Sequence, residues 1–246
     1  MLYLLFDLDR TLWDFDGNAN RTYGEMFDHF GLQALCGVDY ETFHRRYCQI
    51  NDLLWEAYRC GTLSKELLAL RRFTLTLGAF GMDPEGVDTV RLAQRMSDYY
   101  VLRGTQQTGL MPGARELLEW LYARRDRFRL AVITNGFAEA QRPKMRTAGI
   151  DRYFDYSFLS EELGYMKPDP RFFEAALRQM GVAASQCLVI GDDYKVDIVG
   201  ARSAGIAQVY YNLKGTPLPA GCEKPTYEIR DLREMIDVVI CNLILP

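Results

Sequence analysis

Leu2-Tyr3-Leu4-Leu5-Phe6-Asp7-Leu8-Asp9-Arg10-Thr11 is the stretch on which the fold turns. The apolar run from Leu2 to Phe6 is unbroken and stops abruptly at Asp7. Such a run suits a parallel strand covered on both faces. In an open α/β sheet, ligands bind outside the carboxyl ends of the strands, so Asp7 stands where a site would form. Alternation along an extended segment turns Asp7 and Asp9 to the same side. Two crowded carboxylates need a cation or a shared proton, and oxygen-only ligation selects a hard ion such as Mg²⁺.

Working outward, similar runs recur at Leu130–Ile133 before Thr134, at Tyr156–Leu159, at Cys187–Ile190 before Gly191, and at Ala207–Tyr211. Helical patterns lie between them. Gly113–Arg124 carries Leu117, Leu118 and Leu121 on one face, and Asp169–Met180 places Phe172, Phe173, Ala176, Leu177 and Met180 at helical spacing. The second of these opens on Lys-Pro-Asp-Pro and closes on Gly181, good start and stop signals. Strand–helix alternation predicts an α/β fold with a Rossmann-like parallel sheet and right-handed crossovers.

From about Asn18 to Arg103 the alternation ceases. Apolar residues such as Leu53, Leu54, Ala57 and Tyr58 recur at helical spacing, and Gly31, Gly61 and Gly81 punctuate the segment. The expected organisation is an α/β core of residues 1–15 and 106–246 with an inserted all-helical cap domain of residues 16–105.

Composition narrows the function. The 246 residues carry a formal charge of −4, so nothing in the overall field favours a nucleic-acid polymer or an anionic membrane. The six cysteines include no CxxC pair, and there are only two histidines, which argues against zinc and against a disulfide scaffold. The start of the chain lacks the pattern of a signal peptide. The apolar stretch Val238–Leu245 is far too short to span a bilayer. A cytoplasmic location is the expectation.

The remaining polar residues fall at the other strand ends. Thr134-Asn135-Gly136 offers a hydroxyl, an amide and backbone N–H groups; Lys167 stands before a helix; Gly191-Asp192-Asp193, with Asp197, follows the fourth strand. One sheet edge thus gathers a carboxylate pair, a hydroxyl, an ammonium and further carboxylates.

In this order the sequence resembles the haloacid-dehalogenase superfamily. Asp7, Asp9 and Thr11 match its DxDxT motif, Thr134 its second motif, Lys167 its third, and Asp192 with Asp197 its GDxxxxD motif. The position of the insertion matches a C1-type cap. The resemblance implies Mg²⁺-dependent hydrolysis of a small phosphorylated metabolite through an aspartyl-phosphate on Asp7. It implies Asp9 as acid and base, and metal ligation by Asp7, the Asp9 carbonyl and Asp192. Phosphate would be bound by Thr134, the Asn135 amide and Lys167. Thr11, Asp193 and Asp197 would support from behind, Asp197 by orienting Lys167 or metal-bound water.

Within the superfamily, Asp9 and Thr11 argue for phosphate rather than halide chemistry. Lys65 is the one lysine of the insertion and looks like an exposed helix start, against the Schiff-base branch. Thr134–Phe137, Ile150–Asp155 and Ser160–Gly164, with Asn51–Tyr58 and Gly61-Thr62 in the cap, resemble the pyrimidine 5′-nucleotidases. That likeness implies a nucleoside monophosphate as substrate. Sugar-phosphate phosphatases and phosphomutases share the four motifs, and a non-catalytic phosphate-binding regulatory protein is the alternative from another class. Trp13, Trp55 and Tyr58 are candidates to stack on a base, and each is also suited to packing.

Overall fold

The computed structural model describes residues 1–218 and 220–240. Cys241 and the end of the apolar stretch Val238–Leu245 lie outside the described residues. In chain order the elements are β1 (Leu2–Phe6), α1 (Phe15–His29), α2 (Leu32–Cys36), α3 (Tyr40–Arg59), α4 (Lys65–Gly78), α5 (Val87–Gly104), α6 (Ala114–Tyr122) and β2 (Phe128–Thr134). Then come α7 (Ala138–Thr147), β3 (Tyr156–Leu159), α8 (Ser160–Leu163), α9 (Pro170–Met180), β4 (Cys187–Gly191), α10 (Gly200–Ser203), β5 (Ala207–Tyr211) and β6 (Tyr227–Ile229). A π-helical turn, Tyr194–Val199, leads into α10.

The chain forms two compact units, Met1–Asp16 with Thr108–Pro246, and Gly17–Gln107. In the first, six parallel strands lie in the order β3-β2-β1-β4-β5-β6. The chain moves outward from β1 in one direction and returns to start again at β4. The carboxyl ends of β1 and β4 therefore flank the switch point, where an open sheet presents its crevice. Both faces are covered, as continuous apolar strands require. Leu4, Phe6, Val132, Leu188, Ile190 and Val209 join Leu117, Leu118 and Leu121 of α6 in one core layer. Leu5, Ala131, Ile133 and Val189 join Phe172, Phe173 and Ala176 of α9 in the other.

The α9 helix starts as its sequence dictates. Asp169 caps it by accepting from the Arg171 N–H at 2.9 Å, Pro170 fills the first turn, and Gly181 ends it at φ 69°. Strand β6 and helix α7 were not legible in the sequence. The first has three residues. The second, AEAQRPKMRT, carries few apolar residues and an internal Pro143, so hydrophobic periodicity could not find it.

The second unit is helical throughout its regular elements. Asp39 and Ser64 cap α3 and α4 by accepting from the N–H groups of Thr42 and Leu67. Its core is aromatic: Phe43, Tyr47 and Phe73 are buried, and Tyr23 stacks on Tyr100 at 4.9 Å. The buried Arg72 guanidinium lies 4.8 Å from the Tyr100 ring centre. No helix among the described residues is long and apolar enough to cross a membrane.

Candidate active site

The site lies within the α/β unit, on the segments that follow β1, β2 and β4 and the one before α9. Asp7 continues the β1 ladder, its N–H donating to the Ile190 carbonyl at 2.8 Å. The chain then turns tightly: the N–H groups of Leu12 and Trp13 both donate to Leu8 O, and Arg10 adopts φ 66°. A non-glycine residue in this left-handed region is strained, and such strain collects at functional turns. The turn lets the carboxylates of Asp7 and Asp9 diverge to different partners.

Lys167 is the hub. Its ammonium donates to Asp7 Oδ1 at 2.7 Å, to Asp197 Oδ1 at 2.7 Å and to the Ile133 carbonyl at 3.1 Å, so all three protons are used. Burial opposes its charge, but the Asp197 and Asp7 carboxylates outweigh that, and its pKa stands above the usual lysine range. Asn135 fixes the Lys167 backbone at two points. Its Nδ2 donates to Lys167 O at 2.8 Å, and its Oδ1 accepts from Lys167 N–H at 2.9 Å. The Asn135 side-chain amide, expected to meet phosphate, is thus engaged; a backbone N–H is what position 135 has to offer an anion.

Carboxylate oxygens of Asp7, Asp192 and Asp197 all lie within 4.8 Å of one another. Burial lifts the Asp7 carboxyl to about 7, with Lys167 opposing and Asp197 adding. Burial, then Asp7 and Asp197, lift Asp192 to about 8. Three carboxylates share one ammonium, which touches only two of them, so the cluster carries excess negative charge. Thr11 donates its hydroxyl to Asp192 Oδ1 at 3.2 Å. Of the three, Asp197 is the most engaged, since its Oδ2 also accepts from the Asp193 N–H at 3.2 Å. Asp193 caps the π-helical turn, accepting from Lys195 and Val196 N–H groups at 2.9 and 3.0 Å. An all-oxygen, over-negative cluster with Asp7 and Asp192 least occupied fits a hard divalent cation.

Asp9 faces elsewhere. Its two oxygens accept from Gln141 Nε2 at 2.8 Å and Lys144 Nζ at 2.9 Å, so its carboxylate is not part of the three-acid cluster. Gln141 and Lys144, both on α7, escaped the sequence reading because their helix did. Glutamine and lysine three residues apart carry no motif of their own, and only a helix assignment could have put them on one face.

Trp13, a candidate for stacking on a ligand, packs in the core of the α/β unit, with the Lys144 ammonium 4.2 Å from its ring centre. That corrects its expected role: the indole serves packing and a cation–π contact. Arg10 pairs with Asp16 at 2.8 Å, its guanidinium 4.4 Å from the Phe15 ring centre. In the helical unit, Trp55 and Tyr58 are partly exposed and meet edge to face at 5.7 Å.

The parallel sheet thus presents an aspartate after β1, a buried lysine bound to it and further acids after β4. Residues 2–205 match the model of the haloacid dehalogenase-like hydrolase family, and the chain belongs to that family. It is 31% identical over 243 residues to the pyrimidine 5′-nucleotidase PynA of Streptococcus pneumoniae, covering 98% of this chain and 96% of that one. It is 29% identical over 246 residues to the pyrimidine 5′-nucleotidase YjjG of Escherichia coli, covering 98% of each. Among solved structures, the HAD-hydrolase YfnB of Bacillus subtilis bound to magnesium superposes with a TM-score of 0.81 at 27% identity, covering 97% of this chain and 98% of that one.

Proposed function

We propose that the chain is a Mg²⁺-dependent phosphatase that hydrolyses small phosphomonoesters through an aspartyl-phosphate on Asp7, with nucleoside monophosphates as the substrate class. The observation that carries this reading is the Lys167 ammonium seated between Asp7 and Asp197 at 2.7 Å from each, with Asp192 beside them. Asp7 has one oxygen bound to Lys167 and a second oxygen free of that contact, the one suited to attack phosphorus. Lys167, paired with Asp7 and Asp197, supplies positive charge beside Asp7 that stabilises the charge building on the phosphoryl oxygens.

In the first step the Asp7 oxygen bonds to phosphorus as the bond to the leaving oxygen breaks, and a proton from Asp9 neutralises that oxygen. In the second, water attacks phosphorus, Asp9 takes its proton, and the bond to Asp7 breaks to release phosphate. Thr134 and the Asn135 backbone N–H are the donors for the phosphoryl oxygens. Mg²⁺ held by Asp7, the Asp9 carbonyl and Asp192 would supply neutralising charge to the transferring group.

The nucleotide preference is supported by likeness to PynA and YjjG along nearly the whole chain. The helical unit is read as the family cap that selects the leaving group, with Trp55 and Tyr58 as its aromatic candidates. The test is phosphate release from a panel of nucleoside monophosphates and sugar phosphates, with Mg²⁺ and with EDTA. Release that survives EDTA, or survives Asp7→Asn, overturns the mechanism. A preference for sugar phosphates by orders of magnitude in kcat/KM overturns the nucleotide reading alone.

A further inference from the structure

Helix α7 presents two side chains to the catalytic turn. Gln141, 1% exposed, donates from one nitrogen to Asp9 Oδ2 and to Thr134 Oγ1, both at 2.8 Å. Lys144, 8% exposed, donates to Asp9 Oδ1 at 2.9 Å. Its ammonium lies 4.2 Å from the Trp13 ring centre and 5.5 Å from that of Phe15, so the aromatic faces of Trp13 on the turn and Phe15 at the start of α1 hold it in place. Spaced three apart, the two residues share one helix face, and each grips a different oxygen of one carboxylate. Each oxygen keeps a second lone pair for a proton.

Thr134 is aimed by the same device. Its hydroxyl oxygen accepts from Gly136 N–H at 3.0 Å and from Gln141 at 2.8 Å. With both lone pairs engaged, the hydroxyl proton is left to point at another acceptor. Gly136 keeps the space open. A Cβ at that position would come within 2.1 Å of Gln141 Nε2 and 2.5 Å of its Cδ, so any side chain there must expel the amide.

We infer that Gln141 and Lys144 are positioning residues that fix the Asp9 carboxyl group for proton transfer to the leaving oxygen, and that Gln141 also directs the Thr134 hydroxyl toward the phosphoryl group. This rests on the phosphatase reading above. A misplaced acid matters only where the leaving group needs its proton. Nitrophenolate leaves without one, whereas an alkoxide such as a ribose oxygen does not.

The experiment measures kcat/KM with Mg²⁺ for p-nitrophenyl phosphate and for a nucleoside 5′-monophosphate in wild type, Lys144→Met, Lys144→Gln, Lys144→Arg, Gln141→Met and Gly136→Ala. General acid catalysis contributes roughly 10²–10⁴-fold. The Met variants should therefore lose about 100-fold on the nucleotide and under tenfold on the nitrophenyl ester. Gly136→Ala should reproduce the Gln141→Met pattern, and Lys144→Arg should restore most of the nucleotide rate. Because Asp9 also activates water, phosphoenzyme trapped from the nitrophenyl ester should rise in the Met variants.

Equal losses on both substrates in folded variants, or no loss, overturn the inference. If a Met variant does not fold, Lys144→Gln, which keeps a donor without the charge, decides by the same ratio of losses. Wild type inactive on both esters overturns the phosphatase reading itself, and this inference with it.

Discussion

Replacing Lys167 by methionine removes the cation and keeps a side chain of similar length. The lost ammonium makes three hydrogen bonds, to Asp7, Asp197 and Ile133 O, and its side chain is 1% exposed between carboxylates that are 12% and 2% exposed. Little water is at hand to replace it. Deleting one partner of a buried pair costs about 3–5 kcal/mol, because the other charge is left uncompensated. For a chain of this size, each kcal/mol moves Tm by roughly 2–4 °C, so Lys167→Met should melt about 6–20 °C below wild type in metal-free buffer. Protonation of Asp7 and Asp197 at low pH should recover part of the loss, and Asp197→Asn in the same chain should cost less than the two single changes summed. Phosphate release should fall at least about 100-fold, the usual scale for removing a preorganised charge at a transition state. Calorimetry from pH 5 to 8 and single-turnover assays read both quantities. A Tm within 2 °C of wild type, roughly 1 kcal/mol or less, would mean that the ammonium does not offset the two acids, and the argument for the site would fail with it.

Three further outcomes are expected. Burial and mutual repulsion raise Asp7 to about 7 and Asp192 to about 8 from a usual value of 3.8. The folded metal-free chain therefore holds more protons than the unfolded one between about pH 4 and 8, and its stability from these groups is full at low pH and lost as pH rises. Mg²⁺ should accordingly raise Tm more at pH 8 than at pH 5; thermal scans showing the reverse would refute the assignment of the cluster. Gly191→Ala would place a Cβ 2.3 Å from Asp197 Oδ2, forcing Asp197 from Lys167. A cost of about 1–3 kcal/mol with at least a tenfold fall in kcat is expected, and an unchanged Tm and kcat would contradict it. In the helical unit, Tyr23→Phe removes the hydroxyl that donates to Tyr47 at 2.8 Å between buried rings. The expected loss is about 1 kcal/mol, checked by denaturant titration, and a stabilised variant would contradict it.

Some of this was legible in the sequence because local pattern and tertiary role coincide. Strands β1 and β4 are unbroken apolar runs that stop just before Asp7 and Asp192, and β2, β3 and β5 are mostly apolar, as strands buried on both faces tend to be. Asp7, Lys167 and Asp192 could be placed at one edge of a sheet because strand ends converge in a parallel fold. The capped start of α9 was equally plain. Strand β6 was too short to show a pattern, and α7 was too polar.

What the sequence alone determined, then, is the α/β class, the helical insertion and the residues available for chemistry. Each depends on a run of neighbours whose hydrophobicity repeats. What only the tertiary structure decided is how those residues divide their bonds. Asp7 and Asp9 are two positions apart in a motif that suggests one carboxylate pair. The left-handed turn at Arg10 and the polar face of α7 instead give Asp7 to Lys167 and Asp9 to Gln141 and Lys144. Asn135 was committed to a backbone and Trp13 to the core in the same way. Hydrogen-bond partners 32 to 160 residues away leave no periodic trace in the chain, because their distance is set by packing and not by sequence spacing.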